Sequence, residues 1–472
     1  MSRIAIIGGG PAGYEAAQVA AGLGAQVTLI ESDGIGGACV LYDCVPSKTL
    51  IATSERVTAL RAAPELGLSS TADVRVQLQL VNQRVQELAA NQSADIRQRL
   101  TAAGVRLLTG RGRFAAEQSG RTFGIEVLPP DGPDTDAAAP TEQLDADVVL
   151  LATGGTPRIL PGAEPDGERV LSWRDIYRLT ELPSHLIVVG SGVTGAEFAS
   201  AYSEMGVPTT LVSSRQKVLP GEDPDAADVI EQVFTSHGGM LMKQARAQTV
   251  KRTADGVEVV LTDGRTVTGS HALMCVGSVP NTEDLGLEHV GLELTEAGYL
   301  EVDRVSRTAV PGIYAAGDCT GVLLLASVAA MQGRVAMWHA LGEAVQPLRL
   351  KTVAANVFTH PEIATVGIGH AAVSSGEVPA RTVLLPLTGN ARAKMQGVAE
   401  GFVKLYCRPA TGVVIGGTVV APAASELIQP VAMAVQLGLT VNQLAATFTV
   451  YPSISGSVIE AARQLMHHDD LG

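Results

Sequence analysis

The strongest constraint on this chain is a pattern that occurs twice: an apolar β-branched run, a six-residue glycine motif, then a helical stretch. The first copy is Gly8-Gly9-Gly10-Pro11-Ala12-Gly13, between a strand predicted over 3–7 and a helix predicted over about 12–23. Gly8 permits the tight turn, Gly10 lets the backbone approach a pyrophosphate, and Gly13 lets helix and strand pack closely. Unpaired N–H groups at the helix N-terminus complete a phosphate site. The next strand, predicted over 26–31, ends at Glu31, placed to bind a ribose hydroxyl pair. A glycine-rich turn with no ligand would leave Glu31 unexplained.

The second copy, Gly190-Ser191-Gly192-Val193-Thr194-Gly195, follows Leu186-Ile187-Val188-Val189. Its second strand ends Leu211-Val212-Ser213-Ser214-Arg215, with no carboxylate. An acid there would bind a free 2′-hydroxyl and repel a 2′-phosphate. Its absence, with Arg215 and Lys217 just beyond, admits NADPH as well as NADH, leaning to NADPH; the alternative is that these two bases are solvated surface.

The 472 residues allow roughly three domains. A net charge of −14 argues against nucleic-acid binding. No run reaches the eighteen or so apolar residues of a membrane span, and the apolar N-terminus is too brief for a secretory signal. A cytoplasmic protein is expected. Residues 76–103 read as one amphipathic helix or a bent pair stopped at Gly104. The segment 129–133 reads as an exposed hairpin loop, and Asp255-Gly256 and Asp263-Gly264 as turns flanking a β-rich run. From about 350 strands and helices continue without a glycine motif. The expected fold class is α/β: two Rossmann-like dinucleotide-binding domains, one inserted in the other, plus a C-terminal α+β domain. The boundaries are 1–155 and 276–347 for the outer domain, 156–275 for the inserted one and 348–472 for the last.

Five cysteines in a chain this long are not a disulfide framework. Two of them stand in Gly36-Gly37-Ala38-Cys39-Val40-Leu41-Tyr42-Asp43-Cys44-Val45-Pro46-Ser47-Lys48. On an ideal helix residues five apart lie roughly 8–9 Å apart at Cα, beyond the ~7 Å a disulfide spans. The pair closes only if the first turn is distorted, and a disulfide so formed would be strained and reducible. Two buried free thiols are the alternative. Cys275, Cys319 and Cys407 read as small buried residues.

This cysteine block, shortly after a dinucleotide fingerprint, resembles the flavoprotein disulfide reductases, the group of dihydrolipoamide dehydrogenase, glutathione reductase and mercuric reductase. Further segments extend the resemblance along the chain: Ala152-Thr153-Gly154, Val276-Gly277-Ser278-Val279-Pro280-Asn281, Ala315-Ala316-Gly317-Asp318 and Thr359-His360-Pro361-Glu362. The resemblance implies FAD at Gly8, Gly10, Pro11, Ala12, Gly13, Glu31, Gly37, Lys48, Gly112, Thr153, Gly154, Asp318 and Ala326. It implies NADPH or NADH, as substrate, at Gly190, Gly192, Val193, Thr194, Gly195, Glu197, Ser213, Ser214, Arg215 and Gly277. Cys44 would face the flavin and Cys39 would be the outer, exchanging thiol. Lys48 would lie near flavin N5, paired with Glu197, where a cation stabilises arriving electron density. The helix beginning near Ala326 would point its positive end at the pyrimidine side of the flavin. The C-terminal domain would pair two subunits, bringing Tyr451 to the partner's flavin, and no metal is called for.

The sequence departs from the family near its end. The disulfide reductases carry a His-Pro pair with a Glu four residues beyond the Pro, the acid–base dyad that serves the exchanging thiol. Here those positions are Tyr451 and Gly456. Using a phenol in place of an imidazole as a base at neutral pH costs about 4–5 kcal/mol, roughly three decades in rate. Ala38, Leu41 and Asp43 also replace the usual Thr, Asn and Gly, and Asp43 should raise the pKa of Cys44. His467 and His468 read as solvated surface. The expected activity is therefore an NAD(P)H:quinone reductase, passing a hydride to FAD and on to a small-molecule acceptor, as a homodimer without integral membrane association. Dihydrolipoamide dehydrogenase or another disulfide reductase acting through Cys39 and Cys44 is the alternative, and a flavin-bound redox sensor is another. Mercuric reductase is disfavoured, because its C-terminal vicinal cysteines have no counterpart in Met466–Gly472.

Overall fold

The computed structural model describes residues 1–69, 74–117, 122–130 and 139–466. The chain forms two compact units. Met1–Thr49, Asn82–Arg158 and Gly277–Arg349 make the first; Leu50–Val81, Ile159–Val276 and Leu350–Gly472 make the second.

The first unit is built on a parallel sheet in the order Ile313–Ala315, Val148–Leu151, Arg3–Ile7, Gln26–Glu31, Arg106–Thr109. Ile4, Ala5, Ile6 and Ile7 are all buried, which is why the central strand is a continuous apolar run rather than an alternating one. On one face lie the helices Pro11–Gly22 and Ala326–Ala340. They meet through small residues: Ala12, Ala16 and Ala20 share a core with Ala329 and Ala336, and Gly333 lies against the Ala12 backbone. The long helix is unbroken over Leu78–Ala102 and adds Ile96 and Leu100 to that core. An antiparallel meander, Arg111–Phe114, Phe123–Leu128 and Glu142–Ala146, follows the Arg106–Thr109 strand in the chain. The predicted loop at 129–133 falls between two paired strands of that meander, although residues 131–133 lie outside the described residues.

The second unit repeats the plan. Its parallel sheet runs Met240–Met242, Thr209–Val212, Leu186–Val189, His271–Met274, Val170–Leu171. Its meander is Ala247–Arg252, Val257–Leu261 and Thr266–Gly269, with the two Asp-Gly pairs in its turns. The duplication read from the glycine motifs therefore extends to the order of four strands and to the place of the meander, while the fifth strand comes last in the chain in the first unit and first in the second. The same unit holds an antiparallel sheet, Ala354–Val357, Glu362–Gly367, Val414–Ala421, Phe402–Cys407, Arg381–Pro386. The helices Gln429–Leu437 and Gly456–Gln464 pack on it through Val431, Ala434, Val458 and Ala461. Residues 159–276 and 350–472 fall into one unit because they share a core: Ala196, Leu219 and Ile230 pack with Val357, Ile363 and Phe402. Among the described residues no helix is long and apolar enough to cross a membrane.

Both fingerprint turns depend on glycine. Gly8 (φ 106°) and Gly190 (φ 110°) lie where side chains are rarely accommodated. A Cβ on Gly13 would overlap the Gly8 carbonyl oxygen, and one on Gly195 that of Gly190. Gly13→Ala and Gly195→Ala are each expected to destabilise their turn by about 1–3 kcal/mol through overpacking. Urea unfolding followed by circular dichroism would measure this, with similar losses expected in the two copies.

Candidate active site

The first fingerprint is held by backbone and opened by the absence of side chains. Gly8 N–H donates to the Ile30 carbonyl (2.8 Å) and Ala152 N–H to that of Ile7 (2.7 Å), fixing the turn between the strands. The helix Pro11–Gly22 starts at Gly10 with no side-chain cap, and an added Cβ on Gly10 would meet nothing within 4 Å. Pro11, at the first helical position, lacks the N–H that would otherwise be unpaired there. The result is open space beside uncapped helix N–H groups, which suits a pyrophosphate. Glu31 braces the loop: Oε2 accepts from Gly9 N–H (2.6 Å), and Oε1 from Asp33 N–H (2.8 Å) and Gly34 N–H (3.3 Å).

Other predicted residues converge on the same place. Gly36 N–H donates to the Gly9 carbonyl (2.9 Å), and a Cβ on Gly37 would lie 2.9 Å from Gly10 Cα. Thr153 Oγ1 donates to the Asn281 carbonyl (2.5 Å) and Asn281 Nδ2 to that of Thr153 (2.9 Å), tying the two crossing segments together. Gly154 (φ 71°) has nothing within 4 Å of an added Cβ. Asp318 follows Gly317, whose N–H donates to the buried Gln332 Oε1 (2.9 Å). The Asp318 carboxyl is pushed up to about 6, first by burial and then by the Asp43 charge. Ala326 opens the helix Ala326–Ala340, which also lacks a side-chain cap. Gly112 is different, since a Cβ there would press on Ile7 and Ile30. Its bareness serves packing.

In the second unit Gly192 repeats Gly10: it starts the helix Val193–Glu204 without a side-chain cap, and an added Cβ would meet nothing within 4 Å. Thr194 and Gly195 continue into that helix. Ser213 stands where Glu31 stands in the first copy, its hydroxyl 2.7 Å from that of Ser191. Ser214 and Arg215 are exposed. Lys217 is ion-paired with Asp228 and donates to the Pro224 carbonyl (3.4 Å), so of the two predicted bases Arg215 is the one turned to solvent. Glu197 is buried, and its Oε1 accepts the Phe358 N–H (2.9 Å). Gly277 falls in the first unit, just past this one.

The cysteine segment is two helices. The first, Gly37–Leu41, ends at Tyr42, and Cys44–Ala62 begins after Asp43. Tyr42 and Asp43 both donate their N–H groups to the Ala38 carbonyl (2.9 and 2.8 Å), which breaks the regular spacing. Cys39 and Cys44 are free, half-buried thiols. The Cys44 thiol is pushed well above its ordinary pKa, first by the neighbouring Cys39 thiol, then by burial and the Asp43 carboxylate; Lys48, one turn further along the helix, opposes the rise. Tyr14, on the fingerprint helix, was not among the predicted site residues. Its phenol is pushed up to about 12, by burial first and then by Cys39. Cys275, Cys319 and Cys407 are buried.

At the far end Tyr451 is 86% exposed, beside exposed Phe448 and Val450. Gly456 opens the helix Gly456–Gln464, its N–H donating to Ser453 Oγ (3.1 Å). His467 and His468 lie outside the described residues.

Comparison with known proteins places these features in context. The family model for pyridine nucleotide-disulphide oxidoreductase matches residues 2–333, and the one for its dimerisation domain matches 353–462. A Mycobacterium tuberculosis protein named NAD(P)H dehydrogenase (quinone) is 59% identical over all of this chain and 95% of its own length. A dihydrolipoyl dehydrogenase of Chlorobaculum tepidum is 33% identical over 97% of this chain and 96% of its own. The crystal structure of LpdA from Mycobacterium tuberculosis superposes with a TM-score of 0.93 at 59% identity, over 99% of this chain and 100% of that one.

The environment of Cys44 makes a pH-dependent prediction. A raised pKa keeps the thiol protonated through neutral pH, so alkylation by iodoacetamide should be slow there and accelerate only in alkaline solution. Asp43→Asn removes one of the groups that raise it, and should move the onset of Cys44 alkylation to lower pH. Mass spectrometry of the labelled peptide would read this; an unchanged profile would discount Asp43.

Proposed function

The chain belongs to the pyridine nucleotide-disulphide oxidoreductase family, and on that premise we propose that it is an FAD-dependent NAD(P)H:quinone oxidoreductase. The observation that carries this reading is the combination of two open phosphate cradles, at Gly10 and Gly192, with Tyr451 and Gly456 at the dyad positions. The name of the mycobacterial relative supports it. The Gly8 fingerprint would hold FAD and the Gly190 fingerprint NAD(P)H, and the bound flavin would supply two-electron transfer from the nicotinamide to the acceptor. The balance is NAD(P)H plus a proton plus quinone giving NAD(P)+ plus hydroquinone, with no thiol consumed.

The residues of this chain supply position and charge. Glu31 braces the FAD fingerprint and offers its carboxylate to the ribose; Asp318 would accept from the ribityl chain, Thr153 and Gly154 line the crossing, and Lys48 contributes positive charge. Ser213, Ser214 and Arg215 would receive the adenosine ribose of the nicotinamide nucleotide, with Arg215 favouring NADPH while leaving NADH usable. Cys44, kept protonated, is a poor nucleophile and a poor electron exit. We assign 1–155 and 276–347 to FAD, 156–275 to NAD(P)H and 348–472 to dimerisation, with the exposed Phe448, Val450 and Tyr451 meeting a second copy.

One observation favours a second reading. Cys39 is the first of the groups acting on the Cys44 thiol, so the two cysteines are neighbours, as a dihydrolipoyl dehydrogenase requires. The missing base opposes it, at about 4–5 kcal/mol for a phenol in place of an imidazole.

Steady-state turnover with NADPH and NADH against a naphthoquinone, lipoamide and glutathione disulfide would test the proposal. Quinone should turn over at least about a thousandfold faster than lipoamide, with kcat/KM higher for NADPH. Lipoamide turnover matching the quinone rate would sink the proposal. The double variant Tyr451→His, Gly456→Glu should gain lipoamide activity with little change in quinone turnover.

A further inference from the structure

The strand Phe402–Cys407 lies inside the antiparallel sheet, paired with Arg381–Pro386 on one side and Val414–Ala421 on the other. At its centre Lys404 is 3% exposed. A buried ammonium requires countercharge, and Lys404 finds it on a segment about 180 residues earlier in the sequence. Its Nζ donates to both oxygens of Asp223 (2.7 Å each) and to Asp225 Oδ2 (2.5 Å). Tyr406, two residues along the same strand and therefore on the same face, donates its hydroxyl to Asp223 Oδ2 (3.1 Å).

Asp223 is the N-cap of the helix Pro224–Ser236, accepting from Asp225 N–H (3.0 Å). The loop leading to it, 213–222, begins at the end of the second nucleotide strand and carries Ser213, Ser214 and Arg215. That loop is fastened along its length. Lys217 pairs with Asp228, Val218 N–H donates to Glu231 Oε1 (2.9 Å), and Leu219 N–H donates to the carbonyl of Ser191 within the fingerprint (2.8 Å). The Leu219 side chain packs with Ala196 of the fingerprint helix and with Ile363, Phe402 and Val420 of the antiparallel sheet. The loop thus touches the fingerprint on one side and is anchored through Asp223 to Lys404 on the other.

We propose that Lys404 is a positioning residue for pyridine-nucleotide binding: through Asp223 it fixes the loop whose Ser214 and Arg215 face the adenosine ribose. The C-terminal sheet then sets the shape of the nucleotide site as well as supplying a surface for pairing. This rests on the reading of the Gly190 fingerprint as the NAD(P)H site.

The test uses the full-length, FAD-loaded protein, with NADP+ affinity measured by calorimetry and NADPH turnover measured against a naphthoquinone. Lys404→Met should raise the NADP+ Kd and the NADPH KM on the order of tenfold, while kcat stays within about twofold and bound FAD is retained. Tyr406→Phe, which keeps the ion pair and loses one hydrogen bond, should move Kd in the same direction by about threefold. A folded Lys404→Met protein with unchanged Kd, or one that loses kcat alone, would overturn the proposal. If that variant does not fold, unchanged affinity in Tyr406→Phe overturns it instead. Failure of the unmutated protein to bind NADP+ or NAD+ would instead defeat the nucleotide reading on which the proposal stands.

Discussion

The structure depends on one close contact made twice: a helix that starts so near its own strand that only glycine fits between them. Gly13 against the Gly8 carbonyl, and Gly195 against that of Gly190, bring each helix N-terminus down onto the carboxyl end of a parallel sheet. The space this leaves over Gly10 and Gly192 is where backbone N–H groups can meet a phosphate. The alanines of Pro11–Gly22 follow from the same demand. On the side it turns to the Ala326–Ala340 helix, packed against it through Gly333, a helix held this close carries alanines.

Against that shared plan, the surroundings of Cys44 favour the protonated thiol. A thiol exchanges as the thiolate, and Cys39, burial and Asp43 all favour the protonated form of Cys44, with Lys48 alone among the named neighbours pulling the other way. The same Asp43 raises Asp318. One side chain where the family usually has glycine therefore weighs on both the thiol and the carboxylate assigned to the ribityl chain. Acceptor chemistry that draws electrons from the flavin edge is indifferent to the thiol, whereas disulfide exchange needs both the thiolate and a base. The departures fall on the requirements of disulfide exchange.

The sequence made the first unit legible because its signals are local. The strands Arg3–Ile7 and Gln26–Glu31 occupy the predicted residues, and the first helix differs by one residue at each end. The spacing of Cys39 and Cys44 leaves open a distorted turn or two free thiols; the turn is broken at Tyr42 and Asp43, and both thiols are free. Other features were hidden because their partners are distant. Lys217 stands with Arg215 just past the second strand, either beside a 2′-phosphate or as solvated surface; its pairing with Asp228, eleven residues on, is not announced by the sequence. Lys404 carries no signal in the sequence, since nothing near it announces Asp223, 181 residues away. Tyr14 carried a weak local signal, sitting next to Gly13, but its nearness to Cys39 arises only when the segment after Glu31 folds back over the fingerprint.

The two copies differ in how the loop beyond the second strand is secured, and the difference matches their proposed tasks. In the first, Glu31 gathers two backbone N–H groups from its own turn and one from the fingerprint, an arrangement made within the unit itself. In the second, two serine hydroxyls replace that carboxylate, and the loop is secured from outside by Lys404 and Phe402 of the antiparallel sheet. A coenzyme that stays bound through many turnovers is served by a self-contained cradle. One that must enter and leave at each cycle is served by a site whose shape is fixed by neighbours rather than by the ligand, so that less ordering cost falls on each binding event. Duplication of one unit thus leads to two unlike sites through what surrounds each copy, while the fingerprint itself is retained.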